Sequence, residues 1–370
     1  MATLLTRLLF LGGMIFLFFP PATEAGNDFS QKRVIFDEGI GWTTREGADR
    51  TLRRIREAGF NVYVPCVWHG RGASWPSDLA PWDFYLKPRP MRGDDPLGYL
   101  VSRARKMGIE VHPWFTVVLR QSDLHPEFAE AGTPEQAFDV HDGRFRGWIS
   151  DLIAEVARRY DVDGINLDYV RAMGPCTSPS CREEYHRRYG RDLPEDLVQY
   201  QIKPGRAPTF GQWQEDVVSG LVREISEKVR REKPGILISA DVAPDLLPPV
   251  QGQDSLHWSD REWVDRLFRM DYGRRIDVER TESLRKRMQS PDALTLLISN
   301  NERIAPNRGA SRDGAWLSDT VTLIRERWPW TGIGIYLLSM LTDEQVRALK
   351  DGPFREPGPG PEAGAGGAER

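Results

Sequence analysis

The stretch at residues 161–171 constrains the fold more than any other part of the chain, because apolar and polar residues alternate in it and lead up to an acid, Asp168. Side chains alternate along a strand, so Ile165 and Leu167 share one face while Asn166 and Asp168 share the other. In a (β/α)8 barrel the apolar face packs on the outer helices, and an inward carboxylate is tolerated only at the wet C-terminal rim. We therefore predict that this stretch is the fourth strand of an α/β protein with a single (β/α)8 barrel, and that Asp168 lies at its mouth.

Short apolar runs alternate with amphipathic segments along the rest of the chain, which is typical of a parallel α/β architecture. A barrel of this kind needs about 250 residues. The 345 residues after position 25 leave room for long loops after strands two, three and four, and we assign one barrel domain to residues 26–351. The predicted strands lie at about residues 34–36, 62–67, 109–115, 161–171, 236–240, 267–271, 294–299 and 332–338.

The two ends of the chain differ in composition from the predicted barrel. In residues 1–25, Arg7 precedes an apolar run at 8–19, and Thr23-Glu24-Ala25 offers a small-residue cleavage site. The run is shorter than the about 20 residues of a membrane span, so we predict a signal peptide, with an uncleaved anchor as the alternative. We expect a secreted or periplasmic protein without a stable membrane span after cleavage. Residues 352–370 are rich in Gly, Pro and Ala, and we expect a disordered tail there.

Charge and cysteine content limit the partners that the chain can have. The formal net charge of −4 does not indicate the basic surface that binding to nucleic acid requires. Three cysteines in a secreted chain allow one disulfide and one spare thiol. Cys176 and Cys181 are close in sequence and are the expected disulfide pair. The alternative is that they form half of a metal site with His186. Cys66 lies in an apolar strand, where we expect it to be inert packing.

Acidic and aromatic residues stand at the C-terminal ends of the predicted strands, where barrel enzymes assemble their active sites. Carboxylates supply acid and base chemistry and aromatic faces stack on sugar rings, so the pattern favours a neutral, polyhydroxylated ligand. The candidates at strand ends are Asp37, Glu38, Trp68, Trp114, Asp168, Asp241, Asp271, Tyr272, Glu302 and Tyr336.

Four segments resemble one known family. Residues 163–171, with the sequence DGINLDYVR, resemble the fourth-strand motif of the bacterial glycosyl hydrolase-like family 10 proteins. Residues 238–245, 264–272 and 332–336 are similar to the fifth, sixth and eighth strands of that family, and the likeness runs from about residue 33 to 350. The resemblance implies a secreted or envelope-associated barrel that hydrolyses glycosidic bonds in polysaccharide, with cell-wall glycan among the expected substrates.

A carboxylate pair is the catalytic hypothesis. We expect Asp168 to be one essential carboxylate, as nucleophile or base, and Asp241 to be its partner, with Glu302 and Asp271 in reserve. Several acids in one mouth raise the pKa of a proton donor by like-charge repulsion. The structural alternative is that Asp168 forms a salt bridge with Arg171 or caps a loop.

Two better-understood barrel classes share the beginning of the motif. Chitinases of the DGxDxDxE type would place their acid at Val170 and another Asp at Asn166, so substrate-assisted chitinase chemistry is disfavoured. The amylase-like class would make Asp168 a nucleophile with its acid at the fifth strand, where this chain has Asp241. That class expects Arg where Asn166 stands.

Hydrogen-bonding and aromatic residues near the same strand ends are the expected sugar contacts. His69 and His112 fall on neighbouring predicted strands, but two His without a third ligand make a weak zinc signal, so we predict no metal site and no cofactor. The first alternative to a hydrolase is a non-catalytic carbohydrate-binding barrel, and the second is a deacetylase or lyase that acts on similar glycans. The predicted substrate-binding residues are Trp68, His69, Trp114, Asn166, Tyr169, Arg171, Tyr272 and Tyr336.

Overall fold

Parallel strands close into a barrel with eight positions, which confirms the predicted α/β (β/α)8, or TIM-barrel, fold. The computed structural model describes residues 29–88, 93–305 and 308–355. The strands within these ranges are β1 (Arg33–Asp37), β2 (Val62–Trp68), β3 (Glu110–Val111), β4 (Trp114–Thr116), β5 (Gly164–Asp168), β6 (Leu237–Val242), β7 (Arg266–Asp271), β8 (Leu294–Ser299), β9 (Asn301–Ala305), β10 (Arg308–Ser311) and β11 (Ile333–Tyr336). The first strand pairs with β2 on one side and with β11 on the other, so the sheet has no open edge at that point. Strands β9 and β10 form a separate antiparallel hairpin.

The third position of the barrel consists of two short strands instead of the single strand predicted at residues 109–115. Pro113 separates β3 from β4, and proline has no N–H to donate to a strand ladder. Strand β3 pairs with β2, and β4 pairs with both β2 and β5. The break leaves the end of this position, Thr116, level with Asp168 of β5.

Helices follow most of the barrel strands and cover the outside of the sheet. Most of the described helices begin with a side-chain cap. Thr44 accepts the N–H of Gly47, and Thr342 and Gln345 form a reciprocal capping box. The helices of the described ranges are α1 (Arg45–Glu57), α2 (Pro96–Lys106), α3 (Gly143–Arg159), α4 (Pro179–Tyr189), α5 (Leu193–Ile202), α6 (Pro208–Glu232), α7 (Ser255–Asp260), α8 (Val278–Arg285), α9 (Gly314–Arg327) and α10 (Asp343–Asp351).

Strand β5 has the two faces that side-chain alternation predicts. Ile165 and Leu167 belong to the core between the sheet and the helices, whereas Asn166 and Asp168 face the barrel interior. Gly164 begins the inner face, where a Cβ atom would lie 2.8 Å from the ring of His112. A glycine at this position therefore leaves the space that the buried imidazole fills.

The barrel interior is a packed core below the mouth. The ring of Phe36 makes edge-on contacts with Trp114 at 5.8 Å and with Phe268 at 5.3 Å between centroids. Aliphatic side chains fill the remaining space, so the mouth of the barrel has an apolar floor. The buried members of this inner cluster are Phe29, Val34, Phe36, Val62, Val64, Cys66, Trp114, Leu237, Phe268 and Leu297.

The predicted terminal segments are largely beyond the ranges given above. The signal peptide at residues 1–25 lies outside the described residues, as do residues 356–370 of the predicted tail. The first residues of that tail are ordered, because Phe354 is buried against Phe60 with 5.3 Å between ring centroids. No helix in the described ranges combines the length and the apolar character that crossing a membrane requires.

Candidate active site

Asp168 and Asp241 stand side by side at the mouth of the barrel. Asp168 is the last residue of β5, and Asp241 is next to last in β6. The strand register pairs Leu167 with Ala240, so the residue that follows on each strand is the acid and the two acids are level. Both are buried, with exposed fractions of 7% and 2%, and both line a cavity of 210 Å³. The structure therefore brings these two candidates together.

Burial is the main influence on both carboxyl groups. It raises the pKa of Asp168 from 3.8 to about 6, against the opposing effects of the Tyr169 N–H, which donates to this carboxylate at 2.6 Å, and of the Arg171 charge. Burial also raises the pKa of Asp241 well above its usual value, and the negative charge of Asp168 raises it further. Asp168 is therefore the carboxyl that ionises first, and Asp241 is the one that keeps its proton.

Asn166 holds the Asp241 carboxyl in place. Its side-chain nitrogen donates to Oδ1 of Asp241 at 2.9 Å and to Oγ of Ser239 at 3.1 Å, and the residue is fully buried. The first of these bonds lowers the pKa of Asp241 and thus offsets part of the effect of burial. The side-chain oxygen of Asn166 is buried and has no hydrogen-bond partner. Asn166 is therefore a positioning residue for Asp241 that also leaves one acceptor beside the carboxyl pair.

Aromatic side chains form much of the cavity wall. Tyr272 and Tyr336 stack with 5.3 Å between ring centroids and 20° between planes. The hydroxyl of Tyr336 donates to Glu38 at 2.8 Å, which joins the last barrel strand to the end of the first. The indole of Trp114 lowers the pKa of Asp168 slightly, although its N–H completes no hydrogen bond of normal geometry. The wall thus offers flat apolar faces with hydrogen-bonding groups at their edges.

Polar groups of His69 and Arg171 complete the lining. Burial, with a smaller contribution from Arg71, lowers the pKa of His69 to about 3, so its imidazole is neutral. Nδ1 of His69 lies 3.4 Å from Sγ of Cys66, while Nε2 is buried without a hydrogen-bond partner. Arg171 lies over the ring of Tyr169 at 4.8 Å from its centroid. Both side chains line the cavity and can bind a ligand hydroxyl.

Trp68 does not reach the cavity, although the sequence placed it among the sugar contacts. The β2–β4 register shifts between Cys66 and Trp68, and such a bulge turns the following side chain to the other face. The Trp68 ring is fully buried in the outer core, 5.6 Å from Trp148. Its neighbour His69 lines the cavity instead.

The two reserve acids are engaged elsewhere. Asp271 accepts a hydrogen bond at 2.7 Å from the buried guanidinium of Arg269. Glu302 lies on the β9–β10 hairpin and pairs with Arg274 at 3.2 Å. Neither carboxylate lines the cavity that holds Asp168.

Thr116 and Gln121 line the cavity but were absent from the sequence candidates. The predicted third strand stopped one residue short of Thr116, and the strand-end rule would have included it with a longer strand. Gln121 lies in the long loop after β4, and no local pattern distinguishes it from other loop residues.

His69 and His112 lie at opposite ends of the barrel. His112 is fully buried near the start of the strands, where its Nε2 lies 3.5 Å from Glu110. The two rings on neighbouring strands therefore do not meet at the mouth.

Cys176 and Cys181 form the predicted disulfide, with Cα atoms 6.2 Å apart. The buried carboxylate of Asp139 lies within 3.7 Å of both sulfurs. Within the described part of the chain, these three residues are the one group of three side chains with metal-ligand spacing, and the sulfur–sulfur bond leaves only Asp139 as a charged donor. His186 lies elsewhere, 3.3 Å from the carbonyl oxygen of Arg191.

Sequence comparison finds similarity to glycosyl hydrolases. The family model described as Glycosyl hydrolase-like 10 matches residues 36–290. Glycosyl hydrolase YngK of Bacillus subtilis (strain 168) is 22% identical over 265 residues, which cover 61% of this chain and 49% of that protein. Glycosyl hydrolase DigH of Escherichia coli (strain K12) is 25% identical over 210 residues, which cover 50% of this chain and 44% of that protein. The chain thus spans about half the length of the curated relatives it matches.

Solved structures show the same fold at low sequence identity. The PgaB (BpsB) glycoside hydrolase domain from Bordetella bronchiseptica has a TM-score of 0.63 and 12% identity, with 86% of this chain and 98% of that chain covered. The catalytic domain of beta-amylase from Paenibacillus polymyxa has a TM-score of 0.61 and 9% identity, with 87% and 97% covered.

Proposed function

The chain belongs to the glycosyl hydrolase-like 10 family, and from this premise we propose that it hydrolyses glycosidic bonds of a polysaccharide with Asp168 and Asp241 as its carboxylate pair. The observation that carries the proposal is the level placement of two buried acids in one cavity. Burial raises the pKa of both carboxyl groups, and the negative charge of Asp168 raises that of Asp241 further. A glycosidase needs this division between a protonated and an ionised carboxyl.

In the proposed reaction Asp241 is the general acid and Asp168 is the nucleophile. Asp241 donates its proton to the glycosidic oxygen, while the Asp168 carboxylate attacks the anomeric carbon and the bond to the leaving sugar breaks. Asp241, now ionised, then takes a proton from the water that hydrolyses the glycosyl ester and releases Asp168. The backbones of adjacent strands are about 4.8 Å apart. Carboxyl groups on level residues can therefore take up the ~5–5.5 Å separation of retaining enzymes.

The cavity wall supports a sugar ligand. The stacked rings of Tyr272 and Tyr336 present flat faces to a pyranose, and the free Nε2 of His69 can bond a hydroxyl. Arg171 lies beside Asp168 and favours the ionised state of that carboxyl. Sugar hydroxyls would satisfy the buried groups of the wall that have no partner within the protein.

We further propose that the protein acts outside the cytoplasm. The pattern of residues 1–25 favours export. The Cys176–Cys181 disulfide is in keeping with an oxidising compartment. Extracellular or cell-wall polysaccharide would be accessible there.

The test is release of reducing sugar from cell-wall glycan, chitin-like, β-glucan and α-glucan polymers. Asp168→Asn and Asp241→Asn should each lower the rate by at least 10²-fold, as expected for loss of an acid–base or nucleophilic group. Glu302→Gln is the matched control, because Glu302 is an ion-paired carboxylate outside the cavity. An aryl glycoside with an activated leaving group should restore the first chemical step in Asp241→Asn but not in Asp168→Asn.

Full activity of folded Asp168→Asn on a substrate that the wild type cleaves would refute the assignment. Binding of a glycan without hydrolysis by the wild type would favour the alternative of a non-catalytic carbohydrate-binding barrel.

A further inference from the structure

Phe84 and Tyr85 form an exposed aromatic pair on the loop between β2 and α2. Each residue is 53% exposed, and their ring centroids are 4.3 Å apart. The loop leaves the C-terminal end of β2, so the pair lies at the same end of the barrel as the catalytic cavity. Adjacent exposed aromatic rings make a contiguous apolar surface of the kind that marks ligand-binding sites.

The backbone under this pair is fixed by buried polar contacts. Asp83 is 1% exposed, and its two carboxylate oxygens accept the N–H of Tyr85 and Nε of Arg71, each at 2.9 Å. The Arg71 guanidinium also lies 4.6 Å from the centroid of the Tyr85 ring. The ring therefore has a supported inner face, and the charge of Arg71 is neutralised by Asp83.

The same arginine connects the pair to the catalytic cavity. Arg71 donates to Oε1 of Gln121 at 2.8 Å, and Gln121 lines the cavity together with His69, which begins the loop that carries the pair. Two side chains thus bridge the distance from the cavity wall to Tyr85.

The size of the cavity indicates that a glycan would extend beyond it. Its volume of 210 Å³ is below the ~300–1,000 Å³ of pockets that enclose a drug-sized ligand. A chain of several sugars must leave the cavity over the surrounding loops. The Phe84–Tyr85 pair lies on one of these loops and offers the flat apolar faces on which pyranose rings stack.

We propose that Phe84 and Tyr85 are a sugar-binding platform outside the cavity, which contacts a distant unit of a neutral polysaccharide and makes a polymer the preferred ligand. This inference rests on the proposed function for the identity of the ligand. The platform binds the chain while the Asp168–Asp241 pair acts on one linkage.

Affinity electrophoresis of the Asp168→Asn protein through gels containing glycol chitin, mixed-linkage β-glucan or soluble starch tests the platform without catalysis. Phe84→Ala/Tyr85→Ala, made in the same protein, should bind the retarding polymer at least tenfold more weakly. Phe84→Leu/Tyr85→Leu, which keeps apolar side chains, should lose a similar factor, whereas Phe84→Tyr/Tyr85→Phe should bind normally. Trp330→Ala is the matched control: Trp330 is 43% exposed with Arg285 over its ring at 5.4 Å, but it precedes β11 at the other end of the barrel.

Unchanged retardation of the Ala and Leu double variants, or no retardation of the parent by any polymer, would overturn the platform. Hydrolysis by the wild type is measured on the same polymers to separate the two proposals. If the wild type hydrolyses a polymer and the double variants are retarded as strongly as their parent, the platform is refuted and the proposed function is not. Retardation that depends on Phe84 and Tyr85, without hydrolysis by the wild type, supports the platform and refutes the proposed hydrolytic function.

Discussion

Replacing Asp168 with asparagine should make the folded protein more stable at pH 8, although it removes a residue of the proposed active site. Burial raises the pKa of the Asp168 carboxyl from 3.8 to about 6. A carboxyl with a higher pKa in the folded state contributes stability that is fully present below its unfolded pKa and is lost as the pH rises through its folded pKa. Ionisation of Asp168 therefore costs the wild-type protein stability between about pH 4 and pH 6.

The size of this cost follows from the pKa change. A rise of about two pKa units corresponds to roughly 3 kcal/mol of unfolding free energy. The 7% exposure of Asp168 leaves little solvent screening to reduce it. Asparagine has the same shape and still accepts the Tyr169 N–H, and Asp241 loses a charged neighbour. The stability of the variant relative to wild type should therefore increase by up to roughly 3 kcal/mol from pH 4 to pH 8.

Urea unfolding followed by tryptophan fluorescence at pH 4, 5, 6, 7 and 8 measures this difference for both proteins. Asp123→Asn is the control, because the Asp123 side chain is fully exposed and should follow the wild-type profile. If the Asp168→Asn and wild-type stabilities run parallel over this range, burial is not the main influence on the Asp168 carboxyl and the reasoning fails.

Three other perturbations test the neighbourhood of the pair. Asn166→Ala removes the bond that lowers the pKa of Asp241, so the basic limb of the kcat profile should move to higher pH. A limb that moves to lower pH contradicts this role. Gly164→Ala puts a Cβ atom 2.8 Å from the His112 ring and should cost about 1–3 kcal/mol in urea unfolding, part of which His112→Ala in the same chain should recover. Proton NMR of the first product should show retained anomeric configuration, since Asp168 and Asp241 are level on adjacent strands; inversion would show that a water molecule separates the acids.

The barrel was predictable because its signal is local and repeated. Alternation along β5 assigned Ile165 and Leu167 to the outer core and Asp168 to the mouth, and the structure has both. The same strand-end rule selected Asp241, Tyr272 and Tyr336, which line the cavity with Asp168. Each of these assignments needs only the period of a strand and the direction of a parallel sheet.

The structure differs from the sequence-based expectations where a distant residue or a local irregularity decides the position of a side chain. The Trp68 side chain reverses its face because of a bulge, which depends on pairing with β4 and leaves no mark in the period of β2 itself. Asp271 forms an ion pair with Arg269, two residues earlier on the same strand. Alternation predicts that the two side chains share a face of the strand, but it does not predict that they pair. Pro113 was visible in the sequence, and its missing N–H should have divided the third strand.

Closure of the barrel ties the cavity to both ends of the folded chain. Arg33 in the first strand is the register partner of Ile333 in the last. At the cavity wall the Tyr336 hydroxyl donates to Glu38, so the wall joins residues from near the two ends of the barrel sequence. Contacts of such high contact order form late, because the entropy of closing the long intervening loop must be overcome first. A polypeptide still emerging from the ribosome cannot assemble this pocket before its last barrel strand is free. We therefore expect the carboxylates of β5 and β6 to acquire their shared, buried environment only in the final stage of folding.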